Sequence, residues 1–169
     1  MTKPWWLQVN GPELAQGDFL RDCLLPVFKG PQAQPSEEEL NQANLIVITQ
    51  SCDLANNKAE FVALCPIHRL SEFEEANPDF KRKDWDLVRK GRIEGLHLLA
   101  SPDHPEDNSE ALVVDFGHIV SLPLEYLSHH AAFLGNRWRL DSPFLEHFSQ
   151  AFARFFMRVG LPSAIPPYK

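Results

Sequence analysis

Four consecutive aliphatic residues, Leu45-Ile46-Val47-Ile48, lie between Asn44 and Thr49 with no charge among them. Such a run predicts a strand over 44–51 that is buried on both faces, because branched side chains suit a pleated sheet. Polarity returns abruptly in Gln50-Ser51-Cys52-Asp53, where that strand should emerge. A second apolar run, 60–67, follows a short polar gap containing Asn56-Asn57. The two are expected to pair antiparallel, with Pro66 ending the second.

The rest of the chain alternates in the same way. Gly17-Asp18 opens a strand, Phe19 to Leu25, that stops at Pro26. Residues 29–36 read as a loop, and Ser36 with Glu39 predicts a capped helical turn over 37–42. Residues 71–92 carry a helical pattern: Ser71 with Glu74 caps one short helix, and Asn77-Pro78 separates it from a second over about 79–90. Strands are expected at Gly95–Ala100, Ala111–Phe116 and His118–Leu122, the last two separate or one strand bent at Gly117. An acidic loop, 101–110, lies between the first two of these. Pro123 opens a short helix to Ser128, and Trp138–Leu140 adds a short strand.

Ser142-Pro143 predicts the start of a last helix, with Ser as N-cap and Pro at the first position. Phe144, Leu145, Phe148, Phe152, Phe155, Phe156 and Val159 recur along it at steps that make a wide apolar stripe. His147, Gln150, Arg154 and Arg158 share the other face, Gly160 closes the helix and Pro162 prevents its resumption. This helix is expected to flank or plug the sheet.

Length and composition narrow the class. At 169 residues, 44% hydrophobic and 23% charged, the chain is read as one soluble domain. No apolar run approaches the ~20 residues of a membrane span, and the N-terminus lacks the apolar core of a signal peptide, so no membrane association and a cytoplasmic location are expected. Three cysteines, an odd number, are read as free thiols. A net charge of −7 argues against non-specific nucleic-acid binding, while leaving room for a local basic groove.

Candidate chemistry sits at a few places. Gln50, Cys52 and Asp53 stand at a rigid strand end, where side chains are held yet reachable. Equally, Ser51 and Asp53 can open a turn while Cys52 packs as a small hydrophobe. A thiol site at Cys52 needs a histidine from elsewhere, and no thiol-protease signature surrounds it. Cys52, Cys65 and His68 have a superficially zinc-like spacing but lack a fourth ligand, for which His97 is one choice. The predicted hairpin places the two cysteines near opposite ends of their strands, so no metal site is assigned. His129-His130 do not share a helix face, and no glycine-rich phosphate loop appears, so no cofactor is expected.

Two surface features remain. Lys81, Arg82, Lys83, Arg89, Lys90 and Arg92 concentrate six of the sixteen basic residues in one stretch. They form either a phosphate-contact surface or a solvated helix face. Trp5 and Trp6 either fold onto the body or anchor a partner.

The succession of elements resembles the MazF/PemK-like toxin family. Gly17-Asp18 looks like that family's opening Gly-Asp, and Leu45–Thr49 like its second strand. Phe61–Ile67, ending Cys-Pro-Ile, is similar to the strand that closes in a Pro-Ile-Thr corner. Val114-Asp115 is similar to an aliphatic-Asp pair in a late strand. Thr49-Gln50-Ser51-Cys52-Asp53 also resembles a Ser/Thr-Gln-x-Cys-Asp signature of a little-characterised bacterial group. The resemblance implies an α+β, mainly β fold: a small half-open antiparallel β-barrel spanning 17–160, with a helical insertion at 71–92 and a C-terminal amphipathic helix. An N-terminal arm, 1–16, and a tail, 161–169, complete this single domain. It further implies a two-fold dimer.

Toxins of this family cut single-stranded RNA without metal, using an Arg before the second strand and the Thr of the Pro-Ile-Thr corner. Those positions fall on Ala43 or Asn44 and on His68, so the arginine is missing here. Two readings follow. In one, the chain is a protein-binding or regulatory component of a bacterial toxin–antitoxin, stress or antiphage defence system. Its partner would be an antitoxin-like protein, a protease or a transcription regulator. In the other, it is an endoribonuclease with relocated groups, His68, Arg69 and the Gln50–Asp53 corner, and RNA is its substrate. The first is preferred, for the absent arginine, the acidic charge and the exposed-aromatic candidates Trp5 and Trp6.

Overall fold

Leu45, Ile46 and Val47 are fully buried and Ile48 nearly so, because the strand that holds them is central and covered on both faces. The computed structural model describes residues 3–27, 30–31, 39–56, 58–105 and 109–157. Within them the fold is α+β, with one open eight-stranded sheet, antiparallel at every recorded pairing, and five helices.

The strands are β1 (Trp6–Val9), β2 (Asp18–Pro26), β3 (Leu40–Val47), β4 (Phe61–Arg69), β5 (Leu96–Leu99), β6 (Leu112–Asp115), β7 (Val120–Pro123) and β8 (Arg137–Leu140). They run β1-β8-β2-β3-β4-β6-β5 across the sheet, with β7 also beside β4. The helices are α1 (Ser51–Ala55), α2 (Leu70–Ala76), α3 (Arg82–Arg89), α4 (Leu124–Leu134) and α5 (Phe144–Phe156).

Strand alternation sorts the core into two faces. Ile46, Ile48, Cys65 and Ile67 meet Phe116 and Phe148 on the face that α5 covers. Leu45, Val47, Val62 and Leu64 meet Leu127 and Ala131 of α4 on the other. Farther along that second face, Val113 packs against Trp85 and Val88 of α3. The edge strands approach each other at one point, where the Trp6 indole Nε1–H donates to the Ala100 carbonyl at 2.8 Å.

Pro66 does not end its strand; β4 runs on to Arg69. The reason lies in how β4 changes partners. On one side β7 pairs with it as far as Leu64, and β6 takes over only from Ile67. Ile48 N–H donates to Ala63 O, so the odd-numbered residues turn their backbone groups to β3 and the even-numbered ones to this gap. The nitrogen of Pro66, which has no hydrogen to give, faces the place where no donor is needed.

Other boundaries also moved. Residues 40–42 belong to β3, drawn in by pairing of Leu40, Asn41 and Gln42 with Pro26, Leu25 and Leu24, whereas Ser36 lies outside the described residues. The corner after Thr49 is a helix, α1, and not a simple turn. In α2 the cap is Arg69, whose N–H donates to Glu72, while Glu74 accepts from the Trp85 indole instead. Helix α4 extends six residues past Ser128, and α5 has Pro143 at its N-cap position. Of the α5 stripe, Phe144, Leu145, Phe148, Phe152 and Phe155 join the core, but Phe156 is half exposed; Arg158, Val159, Gly160 and Pro162 lie outside the described residues. Among the described residues no helix is long and apolar enough to cross a membrane.

Candidate functional site

Between Leu20, opposite Leu45, and Cys23, opposite Ala43, strand β2 has two residues, Arg21 and Asp22, where β3 has only one. One residue of β3, Asn44, faces both. Such a bulge redirects side chains, and here it requires Asp22 to adopt φ 54°, in the left-handed region. Three side chains support the distortion. Asn44 Oδ1 accepts the Asp22 N–H at 3.1 Å, the His130 ring Nε2 donates to Arg21 O at 2.7 Å, and Tyr126 OH accepts the Leu24 N–H at 2.8 Å.

The bulge borders a cleft of about 140 Å3 on the α5-covered face of the sheet. Phe19, Ile67 and Leu112 supply its apolar floor, and Arg21, Asp22, Asn44 and Arg69 its polar wall. The stretch Ser101 to Asp103, together with Glu110, forms the opposite side. The start of the stretch is pinned by Ser101 Oγ, which accepts the His104 N–H at 3.0 Å. From this side Asp103 pairs with Arg21 at 3.2 Å and Glu110 with Arg69 at 3.3 Å. Arg21 also lies over the Phe19 ring, 5.5 Å from its centroid. Two guanidinium groups therefore converge here, each engaged by a carboxylate. Both pairs are about half exposed, so each contributes at most about 1 kcal/mol and an external anion can compete for the arginines.

The sequence-derived site residues do not gather in one place. His68 and Arg69 are neighbours on β4 and project from opposite faces. Arg69 enters the cleft, whereas the His68 ring lies against Phe73 of α2, centroids 6.3 Å apart. Gln50, Cys52 and Asp53 sit at the other end of the β3–β4 pair, and from Leu64, opposite Val47, to Arg69 is about 17 Å of strand at about 3.4 Å per residue.

At that corner Cys52 Sγ contacts Gln50 Oε1 at 3.7 Å and Asp53 Oδ1 at 3.9 Å, and among the described residues no histidine is bonded to it. Ser51 Oγ is occupied by the Gln16 N–H at 3.0 Å. Cys65 is buried among the α5-face residues, and burial, then Asp115, pushes its thiol up to about 12. Cys52, Cys65 and His68 are thus three separate sites. Among the described residues no three His, Cys, Asp or Glu side chains group as metal ligands.

Trp6 is buried in the core, and Trp5 stacks on Phe144 at 3.9 Å with planes 10° apart. Both line a recess of about 540 Å3 with Trp138 and Pro102. Lys81, Arg82, Lys83, Arg89, Lys90 and Arg92 are all exposed, because Trp85 and Val88 turn the other side of α3 inward. Asp115, of the aliphatic-Asp pair, shapes the turn after β6, accepting the Gly117 N–H at 2.8 Å and contacting the His118 ring at 2.7 Å.

Sequence reasoning missed Arg21, Asp22, Asp103 and Glu110. One signal was available for the first two: a charged pair interrupting the apolar strand Phe19–Leu25 marks a bulge. Nothing local joins residues 103 and 110 to residues 21 and 69.

No known family model matches this chain, and no curated protein is similar enough to count as a match.

Proposed function

We propose that this chain is a half-open barrel of MazF/PemK-like ancestry that acts as a protein-binding or regulatory component of a bacterial toxin–antitoxin, stress or antiphage defence system, without ribonuclease activity. One observation carries the reading. The residues at the family's catalytic positions do not converge: Asn44 is engaged by the bulge backbone, and His68 faces α2 on the side of β4 away from Arg69. General acid–base chemistry needs its groups within hydrogen-bond reach of one substrate atom. The eight-stranded antiparallel sheet, its edges linked through Trp6 and Ala100, is compatible with a barrel of that type.

A second reading, a metal-independent endoribonuclease cutting single-stranded RNA, is favoured by the convergence of Arg21 and Arg69 beside Asn44. In that reading a phosphate displaces Asp103 and Glu110 and the two arginines stabilise the charged transition state.

The deciding experiment incubates the purified protein with a mixed single-stranded RNA pool and maps new 5′ ends. Intact RNA at high protein excess is expected. Reproducible cuts that disappear in Arg69→Ala, with the fold intact, would establish the nuclease reading and remove the first.

A further inference from the structure

The outer edge of β5 lies in a slot of about 370 Å3. Leu70, Val88 and Arg89 form one wall, from the α2–α3 side of the sheet; Trp5, His97 and His147 form the other, from the α5 side. The slot therefore sits where the next strand of the sheet would lie.

The backbone there is turned to receive one. Phe116 N–H donates to Gly95 O at 2.9 Å, and the register sets His97 opposite Val114 and Leu99 opposite Leu112. Alternation in an antiparallel ladder then points the N–H and C=O of Leu96 and Leu98 away from β6. Ala100 is next in this outward series, and its carbonyl is the one that takes the Trp6 indole. Exposed edge groups of this kind are a template for added chain.

Charge selects among occupants. On a protein of net charge −7, the described residues that line this slot include one arginine and two histidines and no carboxylate. The Arg89 pairing with Asp86, at 3.1 Å, is largely exposed and exchangeable. His97, half-buried and beside His147, is held neutral at ordinary pH, because burial and then His147 lower it to about 4.

We propose that an extended acidic segment of a partner protein adds to β5 as a further strand, pairing with the Leu98 backbone and setting a carboxylate beside Arg89. Main-chain pairing supplies affinity, and successive side chains enter the two walls alternately. This inference rests on the protein-binding reading above and names the chemistry of the partner.

The probe is a phage-displayed library of random decapeptides, panned against the full chain. Enriched peptides are expected to alternate apolar residues with Asp or Glu. Leu98→Pro is expected to weaken them about tenfold or more, since proline removes the outward N–H without taking a bond from β6. Arg89→Glu, at an exposed position, tests the charge without touching the core, and must weaken the same peptides; circular dichroism confirms that both variants are folded. No enriched peptide, or peptides that bind wild type and both variants equally, would overturn the proposal. So would a dimer in sedimentation that Leu98→Pro splits, which would assign the edge to a second copy. RNA cleavage by the wild-type protein would sink the underlying reading whatever the panning gives. Intact RNA with failed panning would remove strand addition alone.

Discussion

Arg137 donates to Asp18 Oδ2 through both Nε and Nη2, each at 3.1 Å, and neither side chain reaches solvent. Arg139 joins the same carboxylate from the next outward position, and Arg137 Nη1 donates to Gly11 O at 2.7 Å. One acid thus ties the start of β2 to β8 and to the chain before it. The Gly17-Asp18 pair works as a structural joint. Gly17 has φ 84°, and a Cβ there would stand 2.9 Å from Leu145 Cδ1 and 3.0 Å from Leu140 Cβ.

Removing Asp18 should therefore destabilise the protein severely. Asp18→Ala leaves Arg137 buried without its counter-charge, and a loss of about 3–5 kcal/mol is expected. Urea unfolding measures it. Arg139→Ala, at a partly exposed position, should lose less.

The bulge in β2 depends on Asn44. Asn44→Ala leaves the Asp22 N–H without its acceptor, and a loss of about 1 kcal/mol is expected. Hydrogen exchange at Asp22 should quicken in this variant. Unchanged exchange would mean that His130 and Tyr126 hold the bulge by themselves.

Acid should weaken the fold through His97. Burial, then the neighbouring His147, lowers this imidazole from 6.5 to about 4. The unfolded chain then binds more protons between those values, so stability is full above 6.5 and declines as pH falls toward 4. The contribution lost at the lower end is at most about 3 kcal/mol. Urea titrations across that window should show a shallower slope in His97→Gln than in wild type.

Thiol reactivity should separate the cysteines. Cys52 is exposed, whereas Cys23 and Cys65 are buried and both pushed up to about 12, by burial first and then by Asp22 and Asp115 respectively. Native protein treated with iodoacetamide should gain one label, at Cys52, by peptide mass mapping. All three should react in denaturant.

Much of the fold is legible in the chain because its signals are local. Double-sided burial of Leu45–Ile48, the α5 stripe and the solvated basic side of α3 follow from periodicity, which depends only on residues a few positions apart. The course of β4 through Pro66 was not legible. It depends on a gap between β7 and β6, two strands distant in sequence.

The site divides along the same line. The sequence by itself determined an α+β chain with a central strand, a charged helical insertion and an apolar last helix, because side-chain chemistry repeats with the period of each element. Only the tertiary structure decided that Arg21 and Arg69 meet at a cleft, since Asp103 and Glu110 reach them from its opposite side. It also decided that His68 and Arg69 part company. Adjacent strand residues always diverge, but which face each joins is set by the register that β4 shares with β3 and β6.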